Sequence, residues 1–156
     1  MKKINWLKLL ISIAIPLIIG FLGSVFTTNS VKTWFVTIIK PSFNPPNWLF
    51  APVWTFLFIL IGISLYLVWD SKKENKKFAY YIFAFQLIFN LLWSILFFGL
   101  HNPLLALLDI FVLWVLILIN IILFYKISKS SAYLLMPYLL WVTFATILNF
   151  SIFLLN

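Results

Sequence analysis

The stretch that decides the fold is KPSFNPPNWLFAPVWTFLF, residues 40–58, in which four prolines and two tryptophans precede a long apolar run. Proline breaks a helix interior, but it is tolerated in extended loops and in the first turns of a helix. We therefore predict that Pro41, Pro45 and Pro46 hold a stiff, extended loop and that Pro52 lies in the first turns of a helix. The apolar residues beyond Pro52 predict that this helix crosses a membrane.

The composition of the whole chain also indicates a membrane protein. Of its 156 residues, 65% are hydrophobic, 21% are aromatic and only 9% are charged. Apolar stretches occur at 9–26, 48–69, 78–98, 104–125 and 132–155. Each is near the roughly 20 residues that a spanning helix needs, and no period-two alternation suggests barrel strands. The sequence predicts an all-α integral membrane bundle of five transmembrane helices, with the lipid bilayer as its surroundings.

The chain is expected to form one domain over residues 1–156, because its connections are too short to hold another. The predicted helices cover about 5–26, 48–69, 78–98, 104–125 and 132–155, and the outer loop 27–47 is predicted to act as a pocket lid. Basic residues precede the first apolar stretch, as in a signal peptide, but the stretch is long and no small-x-small cleavage site closes it. We therefore expect a retained first helix.

The lysines predict the orientation of the bundle. With alternating spans, one side takes Lys2, Lys3, Lys8, Lys72, Lys73, Lys76, Lys77, Lys126 and Lys129, and the other takes Lys32 and Lys40. The positive-inside rule then places the N-terminus in the cytoplasm and the C-terminus outside. The run SKKENKK at 71–77 is short and interrupted by Glu74, so we interpret it as an orientation signal rather than a site for nucleic acid or lipid head groups. No nucleic-acid partner is expected.

Polar and tryptophan side chains gather at one depth in this arrangement. At roughly 1.5 Å per residue, Trp54 lies about 9 Å below the outer start of the second helix, and Trp93 about 7 Å below the outer end of the third. Asn90, Asp109 and Asn149 fall in the same outer half of the bilayer. Helical spacing also places two stripes, Gln86–Asn90–Trp93–Phe97 on the third helix and Tyr138–Trp141–Ala145–Asn149 on the fifth. The two stripes are predicted to meet inside the bundle.

Two interpretations of these polar residues stay open at this point. Amides and a carboxylate in hydrocarbon are costly unless they find partners or line a cavity, so Gln86, Asn90 and Asn149 either bond helices together or bind a ligand. An intramembrane carboxylate is a functional candidate by default, but for Asp109 we favour a structural role with hydroxyl and amide partners. Proton-coupled transport would require a second titratable group at that depth.

Conventional catalysis finds little support in the sequence. His101 is the sole histidine and the chain has no cysteine, so no metal site is predicted. No serine stands with a base and an orienting acid, and no glycine-rich phosphate loop is present. We expect no required cofactor.

Three motifs resemble those of a known family. KPSFNPPNWLFAPVWTFLF, QLIFNLLWSILFFGL and the terminal PYLLWVTFATILN resemble the TspO/MBR family, the tryptophan-rich sensory proteins that include translocator proteins and peripheral-type benzodiazepine receptors. The resemblance extends over essentially the whole chain. It implies a five-helix bundle, usually a homodimer, that binds porphyrins such as protoporphyrin IX or heme, and isoquinoline- or benzodiazepine-type ligands, below the first loop.

The resemblance also implies the ligand-binding residues. Carried over to this chain, they are Phe43, Trp54, Asn90, Trp93, Tyr138, Trp141, Ala145 and Asn149, with Pro41, Pro45 and Pro46 in the lid and with Gln86 and Asp109 as structural polar residues. Phe43 stands where many relatives have tryptophan. Some family members are linked to light- and oxygen-dependent porphyrin breakdown, and in such an enzyme Trp54 and Trp141 would be the catalytic residues.

Three functions remain as hypotheses. The first is binding of porphyrins for tetrapyrrole transport, sensing or regulation, the second is photo-oxidative porphyrin degradation, and the third is an unrelated small-molecule or ion permease. Sterol binding is not favoured, because Phe150 replaces the tyrosine of the sterol-recognition pattern and no basic residue follows it. The use of lysine rather than arginine and the absence of a targeting extension favour a prokaryotic plasma membrane.

Overall fold

A computed structural model describes residues 4–156 of the protein. The helices are α1 (Trp6–Lys32), α2 (Phe50–Trp69), α3 (Lys77–Ser94), α4 (Pro103–Ile127) and α5 (Lys129–Leu155), with a 3₁₀ turn at Asn47–Leu49 and a π turn at Ile95–Gly99. All five helices are long and apolar enough to cross a membrane, and no strand occurs in the described part of the chain. The predicted all-α membrane bundle is confirmed.

Helix α1 continues six residues beyond the apolar stretch from which its end was predicted. Its last segment is polar, but the hydroxyls of Thr27 and Thr28 donate to the carbonyl oxygens of Gly23 and Ser24, at 3.1 and 2.8 Å. The two threonine hydroxyls are thus hydrogen bonded within the helix, and the helix continues beyond the hydrophobic segment. The connection to α2 is therefore shorter than the predicted loop at 27–47.

Helix α5 also begins earlier than predicted, at Lys129 instead of 132. The side chain of Ser128 accepts a hydrogen bond from the backbone N–H of Ser131, which caps the helix start. Ser128 also ends α4, since its N–H donates to the carbonyl of Phe124 at 2.7 Å. One residue thus separates two long helices, which are forced to run antiparallel and pack along their length.

The described lysines are segregated between the two ends of the bundle, as the alternating spans predict. At one end, the ammonium of Lys8 lies 3.6 Å from the Asp70 carboxylate, and the Lys73 ammonium donates to the carbonyl of Lys126. Lys40 lies near the opposite end, where its ammonium donates to the carbonyl of Phe35 at 2.6 Å. Lys2 and Lys3 lie outside the described residues.

The interior of the bundle is mainly apolar, with buried hydrogen-bonded polar side chains in both halves, such as Ser64 and Ser131 near the lysine-rich end and Asn90 and Asn149 in the other half. Fully buried side chains from α2, α4 and α5 form the main core, among them Ile61, Ile117, Phe124, Leu135 and Val142. The outer faces carry many exposed large apolar side chains, Trp6, Phe21 and Leu140 among them. Such a surface suits hydrocarbon rather than water, because lipid tails are as apolar as these side chains.

Candidate ligand-binding cavity

A cavity of about 560 Å³ opens in the half of the bundle that is farther from the lysine cluster. Its walls come from α1, the first turns of α2, the outer end of α3 with its π turn, and the second half of α5. This volume falls within the range of pockets that bind small molecules and cofactors. The cavity lies at the depth where the two sequence stripes were predicted to meet.

Hydrogen bonds between helices hold one wall of the cavity in place. The Asn90 amide of α3 donates to the Tyr138 hydroxyl of α5 at 3.1 Å. The Trp93 indole N–H donates to the side-chain oxygen of Asn149 at 3.0 Å, and the Asn149 amide donates to the carbonyl of Pro103 at 2.8 Å. Asn149 therefore joins α3, α4 and α5, and it fixes the Trp93 ring against the cavity.

Aromatic rings line the cavity from α2, α3 and α5. The ring of Trp54 stacks on Phe58 with centroids 5.4 Å apart, and the ring of Trp93 stacks on Phe97 at 5.1 Å with an interplanar angle of 17°. Trp141 meets Phe50 edge to face at 6.1 Å. Its indole N–H is shielded from solvent and has no hydrogen-bond partner among residues 4–156. Flat ring faces thus form a large part of these walls.

The connection between α1 and α2 lies over part of the outer end of the cavity, but it is folded into turns and is not extended throughout as predicted. Phe35 is buried and reaches the cavity wall, where its ring lies 6.2 Å from that of Phe97. Asn156, at the end of α5, makes a two-bond clasp with the backbone of Ile39, with both distances 3.0 Å. These two hydrogen bonds tie the loop to the end of α5, next to the cavity.

The prolines act at particular points of this loop. The N–H of Asn44 donates to the carbonyl of Pro41 at 3.0 Å, which closes a turn, and Pro46 is extended, with φ −62° and ψ 140°. Pro41, Pro45 and Pro46 do not line the cavity themselves. Their contribution is to shape the segment that carries Phe35 and Asn47 to its wall.

The cavity brings together most of the residues that the sequence predicted to bind a ligand. The ones that line it are Trp54, Asn90, Trp93, Trp141, Ala145 and Asn149. Tyr138 does not line it, because its side chain is fully buried behind the wall. There its hydroxyl accepts the hydrogen bond from Asn90, and its ring centroid lies 6.2 Å from that of Trp54. Phe43 is 46% exposed and packs edge to face on Phe144 outside the cavity.

Gln86 and Asp109 lie in the protein interior, away from the cavity lining. Gln86 is fully buried and Asp109 is 5% exposed. Neither side chain has a hydrogen-bond partner within the described part of the chain, whereas hydroxyl and amide partners were predicted for Asp109. Asp109 does lie close enough to Tyr138 for an electrostatic interaction. The start of α4 is capped by Asn102, whose side chain accepts from the N–H of Leu105 at 3.0 Å.

The loop between the π turn and α4 contacts the end of α1 through His101. Its Nε2 lies 3.0 Å from the Ser30 hydroxyl, and its ring stacks on Trp34 with centroids 4.6 Å apart. The residue has a positive φ of 53°, which forms a tight turn. Among residues 4–156 no group of three His, Cys, Asp or Glu side chains could hold a metal ion. His101 therefore joins the loop before α4 to the end of α1 through a hydrogen bond and a stacked ring.

The wall contributed by α1 was missed by the sequence analysis. Gly20, Gly23, Thr27 and Val31 line the cavity along one face of this helix, at spacings of three and four residues. Small and hydroxyl side chains at that spacing were a readable signal. This signal was missed because the apolar part of α1 has no polar face. Without one, the sequence does not show which face of the helix points inward.

Comparison with known proteins identifies the family. The model of the TspO/MBR family matches residues 12–155, which is nearly the whole chain. The chain belongs to the TspO/MBR family. The family and the membrane bundle that its motifs implied are thereby confirmed.

Similar TspO/MBR proteins match over nearly their full length. The tryptophan-rich protein TspO of Archaeoglobus fulgidus is 52% identical over 97% of this chain and 99% of its own. The tryptophan-rich protein TspO of Chlorobaculum tepidum is 45% identical over 96% of each chain. The translocator protein of Bos taurus is 32% identical over 87% of this chain and 82% of its own. With its apolar helices, this TspO/MBR chain is an integral membrane protein.

Proposed function

We propose that this TspO/MBR protein binds porphyrins, such as protoporphyrin IX or heme, and flat isoquinoline- or benzodiazepine-type molecules, in the cavity described above. The role that follows is in tetrapyrrole transport, sensing or regulation. The observation that carries the proposal is the cavity itself, about 560 Å³ in volume and bounded by the rings of Trp54, Trp93 and Trp141. A flat apolar ring system buries its faces against such walls by offset or edge-to-face contact.

The polar groups of the cavity support binding more than conventional catalysis. Asn90 and Asn149 already bond to Tyr138, Trp93 and Pro103, so their main task is to hold the walls. The hydroxyls of α1 donate to carbonyls of their own helix. No base and nucleophile pair up in this set, and a rigid, preformed wall reduces the ordering cost of binding.

A second candidate function is light- and oxygen-dependent degradation of a bound porphyrin. It is favoured by one observation, the position of Trp141, whose ring lines the cavity and whose N–H is not engaged by the protein. In this reaction dioxygen oxidises the bound porphyrin and is itself reduced, and an electron-rich indole in contact with the photoexcited ring relays an electron. Trp54, on the opposite helix, is the other candidate in this hypothesis.

Titration of the purified protein with protoporphyrin IX tests both functions. In the dark, we expect saturable quenching of tryptophan fluorescence, because three indoles line the cavity. Trp141→Phe removes one wall ring and is expected to weaken binding by roughly three- to tenfold, the equivalent of about 1 kcal/mol of aromatic contact. Trp6→Phe is the matched control, since Trp6 is 65% exposed at the other end of the bundle.

Porphyrin absorbance under light separates the two candidates. Bleaching that requires the wild-type protein and is lost in Trp141→Phe at saturating porphyrin supports degradation. Saturable quenching without protein-dependent bleaching leaves a binding protein only. No saturable quenching in the dark would contradict both functions.

We also propose that the protein lies in a prokaryotic plasma membrane with its N-terminus in the cytoplasm and its C-terminus outside. The segregated lysines support this orientation. The absence of native cysteine makes a direct test possible. In intact cells, an impermeant maleimide is expected to label Thr37→Cys, in the loop after α1, and to leave Glu74→Cys unlabelled until the membrane is opened. The reverse labelling pattern would contradict the orientation.

A homodimer is the remaining proposal, and α3 is its candidate surface. Tyr81, Ala84, Phe85 and Ile88 are exposed on this helix, whereas Ala79 is buried and its carbonyl oxygen accepts a hydrogen bond from Asn120. Light scattering of the detergent-solubilised protein measures the mass of the assembly. A monomer mass at all concentrations would contradict the dimer.

A further inference from the structure

One charged side chain, that of Lys32, lines the cavity, and the proposed function does not yet use it. Lys32 is the last residue of α1 and is exposed, so it lies where the cavity opens and not in its depth. No acidic residue of the described chain forms an ion pair with it. An ion pair within residues 4–156 joins Lys8 to Asp70 at the far end.

Three hydroxyl groups of the cavity lining are already engaged as hydrogen-bond donors. The hydroxyls of Thr27, Thr28 and Thr55 donate to carbonyl oxygens one turn back in their own helices, at 3.1, 2.8 and 2.9 Å. The other basic residue at this end, Lys40, donates to two backbone carbonyls of its loop, those of Phe35 and Ile38. Lys40 is not part of the cavity lining, whereas Lys32 is.

The charges around the mouth do not offset that cation. Asp70 and Glu74 lie on the connection between α2 and α3, at the opposite end of the bundle. The remaining acid, Asp109, is buried in α4 and is not part of the cavity lining. A ligand that approaches the opening therefore meets a region in which the fixed charges of the protein are positive, and an anionic group is attracted to it.

A simpler role for Lys32 has to be separated from ligand binding. A lysine in the last turn of a helix is stabilised by the partial negative charge of that end, and lysines are common at the membrane surface. Either effect would act on the folded protein whatever ligand is present. Discrimination between two ligands of the same shape but different charge is a property that those effects do not confer.

We propose that Lys32 makes the cavity selective for flat apolar ligands that carry a carboxylate at one edge. The ring system lies among the indoles, and the carboxylate remains at the mouth, paired with the Lys32 ammonium. This inference rests on the proposed function, because it concerns the same cavity. It adds the chemistry of the ligand, a flat apolar ring system with an anionic group at one edge. A neutral plate of the same size binds without this contact.

Protoporphyrin IX and its dimethyl ester provide the test, since they share the ring and differ in charge. For wild-type protein, we expect the acid to bind more tightly than the ester by up to about fivefold, the range of an exposed ion pair. Lys32→Met is expected to remove this preference by weakening the acid alone, and Lys32→Arg to retain it. Added salt should weaken binding of the acid to the wild type but not to Lys32→Met.

Lys129→Met is the matched control, because it removes the same charge at the opposite end of the bundle. It is expected to leave the preference for the acid unchanged. An equal change in affinity for acid and ester in Lys32→Met, or no change in either, would overturn the role of Lys32. In that case, saturable binding of the ester would still support ligand binding in the cavity. Failure of the wild type to bind either compound would overturn both proposals.

Discussion

Asn149→Leu is expected to lower the free energy of unfolding by about 2 kcal/mol and to weaken protoporphyrin IX binding by about tenfold. Leucine is close to asparagine in size, so little space is created, but the bonds to the Trp93 indole and to the Pro103 carbonyl are lost. The Trp93 N–H is left without its partner, which is the larger part of the cost. Its ring is then free to turn away from Phe97, and the cavity loses a flat wall.

Thermal unfolding in detergent and the quenching titration measure the two effects on the same preparation. Ser151→Ala is the control, because Ser151 is on the same helix and its hydroxyl bonds only to the carbonyl of Ile147 in that helix. We expect it to change neither quantity appreciably. If Asn149→Leu unfolds and binds like the wild type, the three-helix junction has no energetic importance.

Gly62→Ala is expected to destabilise the protein by about 2–3 kcal/mol, although alanine favours a helix over glycine by about 1 kcal/mol. The reason is the close approach of α1 and α2. A Cβ atom at this position would lie 2.5 Å from the Cα of Ile13 and 2.8 Å from the carbonyl oxygen of Ser12. Both are backbone atoms that no rotamer change can move, so α1 as a whole must shift.

Gly23→Ala is the matched glycine control for that experiment. A Cβ there would meet the Ser94 hydroxyl at 3.1 Å, and that side chain can rotate aside. The intrinsic helix gain is the same in both variants, so the difference between their unfolding temperatures reports the contact with α1. Because α1 also forms a cavity wall, Gly62→Ala should weaken porphyrin binding as well. Equal unfolding temperatures for the two variants would contradict close backbone packing at Gly62.

The sequence predicted the parts of the site that depend on depth. Trp54, Asn90 and Trp93 were assigned to one level from helix length and chain direction, and the cavity brings them together. Depth is readable because the rise per residue is constant and the alternation of spans fixes which end is which. The same argument indicated Asn149, which proved to be a junction as well as a wall.

The sequence could not predict which side of a wall a residue occupies. Tyr138 and Trp141 are one turn apart on the same stripe, yet Tyr138 is enclosed behind the wall and Trp141 faces the cavity. Phe43 was assigned to the pocket from the resemblance, but the turns of the loop place it against Phe144 outside. These differences arise from small rotations of packed helices and from turn geometry, which periodicity does not resolve.

The sequence by itself determined that this protein is a five-helix membrane bundle, that its lysines gather at one end, and that indole and amide groups share one depth. Hydropathy and constant helical rise suffice for those conclusions, because they concern position along the membrane normal. Only the tertiary structure decided that α1 supplies a wall, that Tyr138 stands behind Asn90, and that Lys32 lies at the mouth. Those facts depend on how each helix is rotated about its own axis, and that rotation is set by contacts between helices such as the backbone approach at Gly62.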